Sequence, residues 1–174
     1  LHLPIGLLAG LGMVELVAVL RRARGPRPVQ AVLAWMAAAT ALLTAVTGWT
    51  LGHEKGWEDS VLQTHMRLGI AVAGTAVLLA VVHHGARDGT RRGPLIAYRV
   101  LLLAVLGLLV PAGHLGAEMT HGEGFILAPL RPRSEAPPPA AGAPTFARLI
   151  APIFKERCAT CHGGERKKGD LSLD

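Results

Sequence analysis

Four long apolar segments alternate with short polar connections over the first two thirds of the chain. The segments cover residues 3–20, 29–51, 65–82 and 95–116. Each holds roughly 17 to 23 residues, the length that an α-helix needs to cross a hydrocarbon layer of about 30 Å. The pattern predicts an all-α membrane protein in which four transmembrane helices form an up-and-down bundle.

The composition agrees with a membrane location, since 51% of the residues are hydrophobic and 17% are charged. A net charge of +6 is also typical of nucleic-acid-binding proteins. Here the basic side chains cluster in two connections between apolar segments: Arg21, Arg22, Arg24 and Arg27 in the first, and Arg87, Arg91 and Arg92 in the third. We therefore expect contact with membrane lipid and no nucleic-acid partner.

The charges of the connections also predict how the chain is oriented. The second connection carries Glu54, Glu58 and Asp59 against the single Lys55, so it is acidic where the other two are basic. The positive-inside rule places the basic connections in the cytoplasm. Both termini then face the periplasm of a bacterial inner membrane.

The chain changes character after the fourth apolar segment. Residues 129–144 are rich in Pro and Ala and include three consecutive prolines at positions 137–139. Such a sequence favours extended polyproline II structure and acts as a semi-rigid spacer. It predicts a tether between the bundle and the C-terminal region.

Apolar residues return with helical spacing beyond this tether. They occupy the positions i, i+3, i+4, i+7 and i+8 of an amphipathic helix, at Phe146, Leu149, Ile150, Ile153 and Phe154. Pro152 lies inside the pattern, so it should kink the helix or delay its start. The predicted helix leads into the sequence CATCH at residues 158–162.

This CxxCH segment contains the only two cysteines of the chain, Cys158 and Cys161. The spacing places two thiols one helical turn apart, where they can add to the two vinyl groups of a haem while the next histidine binds the iron. A zinc site is an alternative, but it would need a second pair of ligands. A redox-active thiol pair is another, but no βαβ pattern surrounds it. We predict covalent haem c, with His162 as the iron ligand.

Seven histidines besides His162 lie at the ends of the predicted helices. Five lie toward the periplasm and two toward the cytoplasm: His2, His53, His65, His114 and His121 in the first group, and His83 and His84 in the second. Ionisable groups near the hydrocarbon are costly and are candidates for function. The alternative for each is a histidine that anchors a helix end, and this is our interpretation of His53, His83 and His84.

His65 and His114 are candidate iron ligands of a second, b-type haem. They lie at similar depth if the third and fourth helices are antiparallel neighbours. Gly113 and Gly116 beside His114 would let a porphyrin approach the backbone. Two further histidines are candidates for the same site, His2 and His121.

Other functions for these polar residues stay open. The histidines could bind a quinol head group, with Glu118 or Glu123 passing on the proton. Glu15 falls deep in the first apolar segment, where an unpaired carboxylate is expensive, so we expect a partner or a proton path. Small residues such as Gly6 and Gly10 predict either close helix packing or space for a flat cofactor.

Two parts of the sequence resemble known families. The sequence CATCHGG at 158–164, followed by KKGDLSLD at 167–174, resembles the opening of the planctomycete-type cytochrome c domain, in which CxxCHG precedes K-x-G-x-L-x-L-D. The resemblance implies that Cys158 and Cys161 form thioether bonds and that His162 is the proximal ligand. Such a domain continues further and supplies a distal Met or His, whereas the twelve residues after His162 contain neither. We therefore expect a truncated domain, a chain that stops where order stops, or an iron that takes its distal ligand from elsewhere.

The membrane part resembles an uncharacterised family of four-helix bacterial membrane domains. The matching sequences are HLPIGL at 2–7, HMRLGI at 65–70 and GHLGAEMTHGEG at 113–124. The resemblance implies that His2, His65, His114 and His121 are the characteristic histidines of the bundle.

Together these observations predict three parts: a transmembrane bundle over 1–124, a periplasmic linker over 125–145 and the start of a c-type cytochrome domain over 146–174. We expect a membrane-anchored cytochrome that passes electrons from a membrane donor, such as quinol or a larger respiratory or photosynthetic complex, to periplasmic acceptors. A haem b in the bundle is a candidate intermediate. The chain would be an electron-transfer subunit and not a stand-alone enzyme. The alternative is a structural or assembly subunit whose bundle binds no cofactor.

Overall fold

Helices make up most of the chain in the structure, which is a computed structural model. It describes residues 2–22, 27–55, 60–86, 92–122, 124–130, 144–163 and 171–173. Four long helices come first: α1 Leu3–Leu20, α2 Pro28–Lys55, α3 Ser60–Gly85 and α4 Arg92–His121. All four are long and apolar enough to cross a membrane. The four predicted helical segments are confirmed, and α2, α3 and α4 extend beyond their apolar segments.

Shorter helices follow. They are a 3-10 helix at Phe125–Leu130, a π-helical turn at Phe146–Ile150, α5 at Ala151–Arg157 and α6 at Ala159–His162. The described residues contain no strand, as the all-α prediction requires. The centre of the predicted tether, residues 131–143, lies outside the described residues. The chain divides into two compact units within α4, Leu1–Gly116 and Ala117–Asp174.

Alanine dominates the core of the first unit, which draws residues from all four long helices. Its fully or largely buried members are Leu8, Leu11, Ala34, Ala37, Ala38, Ala41, Val72, Ala73, Ala76, Leu79, Ala80, Tyr98, Leu102 and Val105. Small side chains let helix backbones approach closely. Larger apolar side chains such as Met13, Leu43 and Leu103 point outward and are exposed, which suits contact with lipid.

The close approach of α1 involves a different glycine from those predicted. A Cβ atom at Gly6 or Gly10 would meet no neighbouring side chain or helix of the described residues within 4 Å, so these two glycines are not points of close helix packing. Space for a flat cofactor beside them stays a prediction. At Gly12, a Cβ atom would lie 3.0 Å from Cδ1 of Leu106 on α4. The glycine therefore makes room for a leucine side chain from the neighbouring helix.

Contacts near both ends of α3 show its direction relative to α4. His65, near the start of α3, meets Ala112 on α4, and His83, near the end of α3, meets Tyr98. The two helices are therefore antiparallel, as expected of neighbours in an up-and-down bundle.

The second unit shows the predicted effect of Pro152. The α-helical part begins at Ala151, with the proline in its first turn. A proline is tolerated there because the first N–H groups of a helix have no partner within the helix. The preceding residues, Phe146–Ile150, form the π-helical turn instead.

Candidate functional site

The CxxCH segment forms a short helical turn directly after α5. Cys158 is the residue at which α5 ends and α6 begins. Its N–H donates to the carbonyl of Phe154 at 2.9 Å, and its own carbonyl accepts the N–H of His162 at 3.0 Å. Cys161 falls inside α6, although its side chain lies outside the described set. The backbone therefore places the two cysteines in one helical turn, as the spacing predicts.

The side chains of this turn are partly shielded from solvent. Cys158 is a half-buried free thiol. The Nδ1 atom of His162 is buried and makes no hydrogen bond to any described residue. A buried ring nitrogen without a partner is costly. The imidazole is therefore a candidate to bind a ligand.

The chain after the motif returns to the same turn. The N–H of Leu173 donates to the carbonyl of His162 at 2.7 Å. Residues 171–173 therefore lie against α6, although residues 164–170 between them are outside the described part of the chain.

An open hollow of about 410 Å³ lies beside the turn. It is lined by Phe146, Ala151, Phe154, Lys155, Ala159 and Leu173. The rings of the two phenylalanines are 6.5 Å apart between centroids. Small-molecule sites occupy about 300–1,000 Å³ and are mostly apolar. The hollow thus has the size and chemistry to accept part of a flat apolar ligand.

Among the candidate histidines of the first unit, His65 has the best-defined environment. Its Nδ1 lies 3.0 Å from the carbonyl oxygen of Ala112. A carbonyl only accepts, so Nδ1 carries a proton, which in a neutral imidazole leaves the lone pair on Nε2. A Cβ atom at Gly116 would lie 3.1 Å from Cε1 of His65. Gly116 therefore makes room for the imidazole of His65 and not for a porphyrin.

His114 leaves α4 on another side. Ala112 and Gly116 are four residues apart and share a face of the helix, whereas His114 is two residues from each and projects from nearly the opposite face. Its side chain is half-buried. A Cβ atom at Gly113 would meet nothing within 4 Å. The packing of α3 on α4 therefore brings His65 to α4 without directing it toward His114.

The other two candidate histidines lie at helix ends. His2 is exposed and precedes α1 without capping it through its side chain. His121, the last residue of α4, stacks on Phe125 with ring centroids 4.1 Å apart. His121 belongs to the second unit, whereas His2, His65 and His114 belong to the first.

Glu118 takes part in closing the end of α4. Its carboxylate accepts the backbone N–H of Gly124 at 3.2 Å, and its carbonyl accepts that of Gly122 at 2.8 Å. Both glycines have a positive φ, a conformation that favours glycine after a helix. Glu123, the other predicted proton relay, lies outside the described residues. No group of three or more His, Cys, Asp or Glu side chains within the described ranges could hold a metal ion.

Glu15 has the partners that its position in an apolar helix requires. Arg99 and Gln30 both contact its carboxylate. His83, which we interpreted as a helix-end anchor, is instead buried in the bundle against Tyr98. Sequence reasoning did not identify Gln30, Tyr98 or Arg99, although a glutamine and an arginine inside long apolar segments are a usable signal.

Comparisons with protein-family models, with curated proteins and with solved structures find no match to this chain. The assignment of a function therefore depends on the residues of the chain itself.

Proposed function

We propose that the chain is a membrane-anchored c-type cytochrome that carries single electrons. The observation that supports this most directly is the CxxCH segment in one helical turn, next to an apolar hollow. Cys158 and Cys161 would hold the haem through thioether bonds, and His162 would bind its iron. The bound haem would supply the one-electron couple.

The residues around the turn fit a haem in three respects. The thiol of Cys158 is free, and the lining of the hollow is apolar except for Lys155. The imidazole of His162 has a buried nitrogen without a hydrogen-bond partner in the described part of the chain. Phe146 and Phe154 would exclude water from one side of the site, because both border the hollow.

The four long helices would anchor this site to the membrane. An even number of spans returns the chain to the side from which it started. Arg21, Arg22 and Arg27 are exposed near the connection between α1 and α2, which we assign to the cytoplasm by the positive-inside rule. The haem-binding turn would then lie in the periplasm of a bacterial inner membrane.

The partners follow from this arrangement. The donor would be a quinol or a larger membrane complex, and the acceptor a periplasmic protein. Residues 131–143, rich in Pro and Ala, would let the haem-binding turn move between them as a tethered module. The chain would thus be an electron-transfer subunit of a larger complex and not a stand-alone enzyme.

A second candidate is an assembly subunit whose bundle binds no cofactor. Its support is the packing of His65, which occupies the space beside Gly116 and faces away from His114. This arrangement gives no support to a haem b clamped between these two histidines. His65 Nε2 could still bind iron or a quinol, because Nδ1 already donates to Ala112 and holds the ring in place.

The test is a pyridine haemochrome spectrum of the purified full chain, with acid-acetone extraction to separate covalent from removable haem. We expect haem c in the natural chain and none in the Cys158→Ala/Cys161→Ala double variant. Extractable haem that disappears in His65→Ala would assign a haem b to the bundle. A chain matured with the haem-attachment machinery that carries no covalent haem would contradict the proposal.

A further inference from the structure

The first unit contains a buried polar cluster that the electron-transfer proposal does not use. Glu15, Gln30 and His83 are the three buried charged or strongly polar side chains among the described residues. The cluster is completed by Tyr98, which is fully buried, and Arg99. All four long helices contribute to it. Polar groups inside a membrane bundle are costly and usually functional.

The carboxylate of Glu15 is held by two donors. Oε1 accepts from Nε of Arg99 at 2.8 Å, and Oε2 accepts from Nε2 of Gln30 at 2.6 Å. Gln30 in turn accepts the backbone N–H of Arg27, at the connection between α1 and α2. A continuous series of hydrogen bonds therefore leads from Glu15 to this end of the bundle.

A fixed ion pair between Glu15 and Arg99 does not require the buried hydroxyl of Tyr98 beside it. This hydroxyl lies near the carboxylate of Glu15. A hydroxyl both donates and accepts hydrogen bonds. The Tyr98 oxygen can therefore accept a hydrogen bond from the acid O–H if Glu15 becomes neutral. The ring also packs edge-on against His83, with centroids 5.1 Å apart.

Arg99 can accommodate the loss of its partner's charge. Its side chain is 37% exposed, whereas that of Glu15 is 8% exposed. The guanidinium can therefore turn toward water or lipid phosphate when the carboxylate is neutralised. The polar groups of the cluster can thus have hydrogen-bond partners when Glu15 is ionised and again, in a second arrangement, when Glu15 is protonated.

We propose that Glu15 is a proton-exchange site that opens toward the end of the bundle at which α1 ends and α2 begins. The carboxylate takes one proton from a hydronium ion and leaves water, and the charge of the cluster rises by one. The new acid O–H donates to the Tyr98 hydroxyl oxygen, and Arg99 moves outward. The groups that face this site are neutral Gln30 on α2, titratable His83 on α3, and Tyr98 and Arg99 on α4.

The test is pH-difference infrared spectroscopy of the full chain in phospholipid vesicles. On acidification we expect a carboxylic acid C=O band that is lost in Glu15→Gln and shifted in Tyr98→Phe. Glu156→Gln on α5 is the control and should retain the band, because Glu156 lies in the second unit and is not part of the buried cluster. An unchanged band in Glu15→Gln, over the pH range in which the helices persist, would make Glu15 part of a fixed ion pair and overturn the proposal.

A measurement on the natural sequence covers the case in which a variant does not fold. Tyr98 is the only tyrosine of the chain, so ring-deuterated tyrosine marks this residue alone. We expect its ring band to change with the same midpoint pH as the acid band. A Tyr98 band that does not respond while the acid band titrates would overturn the proposal without any substitution.

Discussion

The two units of the molecule differ in whether their described residues bury apolar side chains. In the first unit, Leu8 and Leu11 are completely buried within the bundle. In the second, Phe146 and Phe154, which line the hollow, are 62% and 42% exposed, although their spacing is that of an amphipathic helix. An amphipathic face without cover is unfavourable in water. The bundle has an apolar core of its own, whereas the described residues of the second unit bury no apolar side chain. The haem proposed above is an added group that would cover part of this surface.

The largest expected effect would come from removing that added group. In the Cys158→Ala/Cys161→Ala variant we expect complete loss of covalent haem, and faster proteolysis of the second unit than of the bundle. Haem staining and limited proteolysis would measure both effects. Thr160→Ala is the control, because it changes the same turn and leaves both thiols. Equal protection of the second unit with and without haem would contradict the comparison.

The second prediction concerns charge inside the bundle. Arg99→Met leaves the buried carboxylate of Glu15 without its countercharge. We expect it to lower the free energy of unfolding by about 3–5 kcal/mol where Glu15 stays charged, and by less where Glu15 takes up a proton as proposed above. Glu15→Met should cost less, because Arg99 is 37% exposed and can reach water. Detergent unfolding titrations would measure both.

Arg148→Met is the control for that experiment, since Arg148 is an exposed arginine of the second unit and should change stability by less than about 0.5 kcal/mol. Equal losses of unfolding free energy in Arg99→Met and Glu15→Met would show that the solvent exposure of the remaining partner does not govern the cost of breaking the ion pair.

The third prediction tests whether the hollow is covered when haem is attached. Phe154 lines the hollow, so Phe154→Ser should destabilise the haem-bearing unit by about 1.5–3 kcal/mol. Its neighbour Ile153 is exposed and does not line the hollow. Ile153→Ser should therefore have an effect of less than about 0.5 kcal/mol. Denaturant titrations monitored by haem absorbance would distinguish the two variants. Similar losses of stability in both would argue that haem does not cover the hollow lined by Phe154.

The smallest effect concerns the contact between α3 and α4. Gly113→Ala should stabilise α4 by up to about 1 kcal/mol, because alanine favours helix and nothing opposes its Cβ. Gly116→Ala should lose that gain, since its Cβ would press on the His65 ring. Adding His65→Ala to Gly116→Ala should restore the gain. If Gly113→Ala and Gly116→Ala stabilise α4 equally in detergent unfolding titrations, the His65 ring does not pack against Gly116.

Several features follow from the sequence alone because they depend on local rules. The thickness of a membrane dictates the length of an apolar helix, so the four long helices could be read from their apolar segments. A proline is favoured in the first turn of a helix, so the start of α5 beside Pro152 was predictable. The turn that holds Cys158 and Cys161 follows from a spacing of three residues.

The partners of individual side chains required the tertiary structure. The periodicity of a helix identifies which residues share a face, but it does not specify which neighbour covers that face. Glu15 was predicted to need a partner, yet Arg99 lies 84 residues away in the sequence. His65 meets Ala112 and Gly116 because of the register between α3 and α4. That register depends on how Tyr98, Leu102 and Val105 of α4 pack into the core of the bundle, and no single segment encodes it.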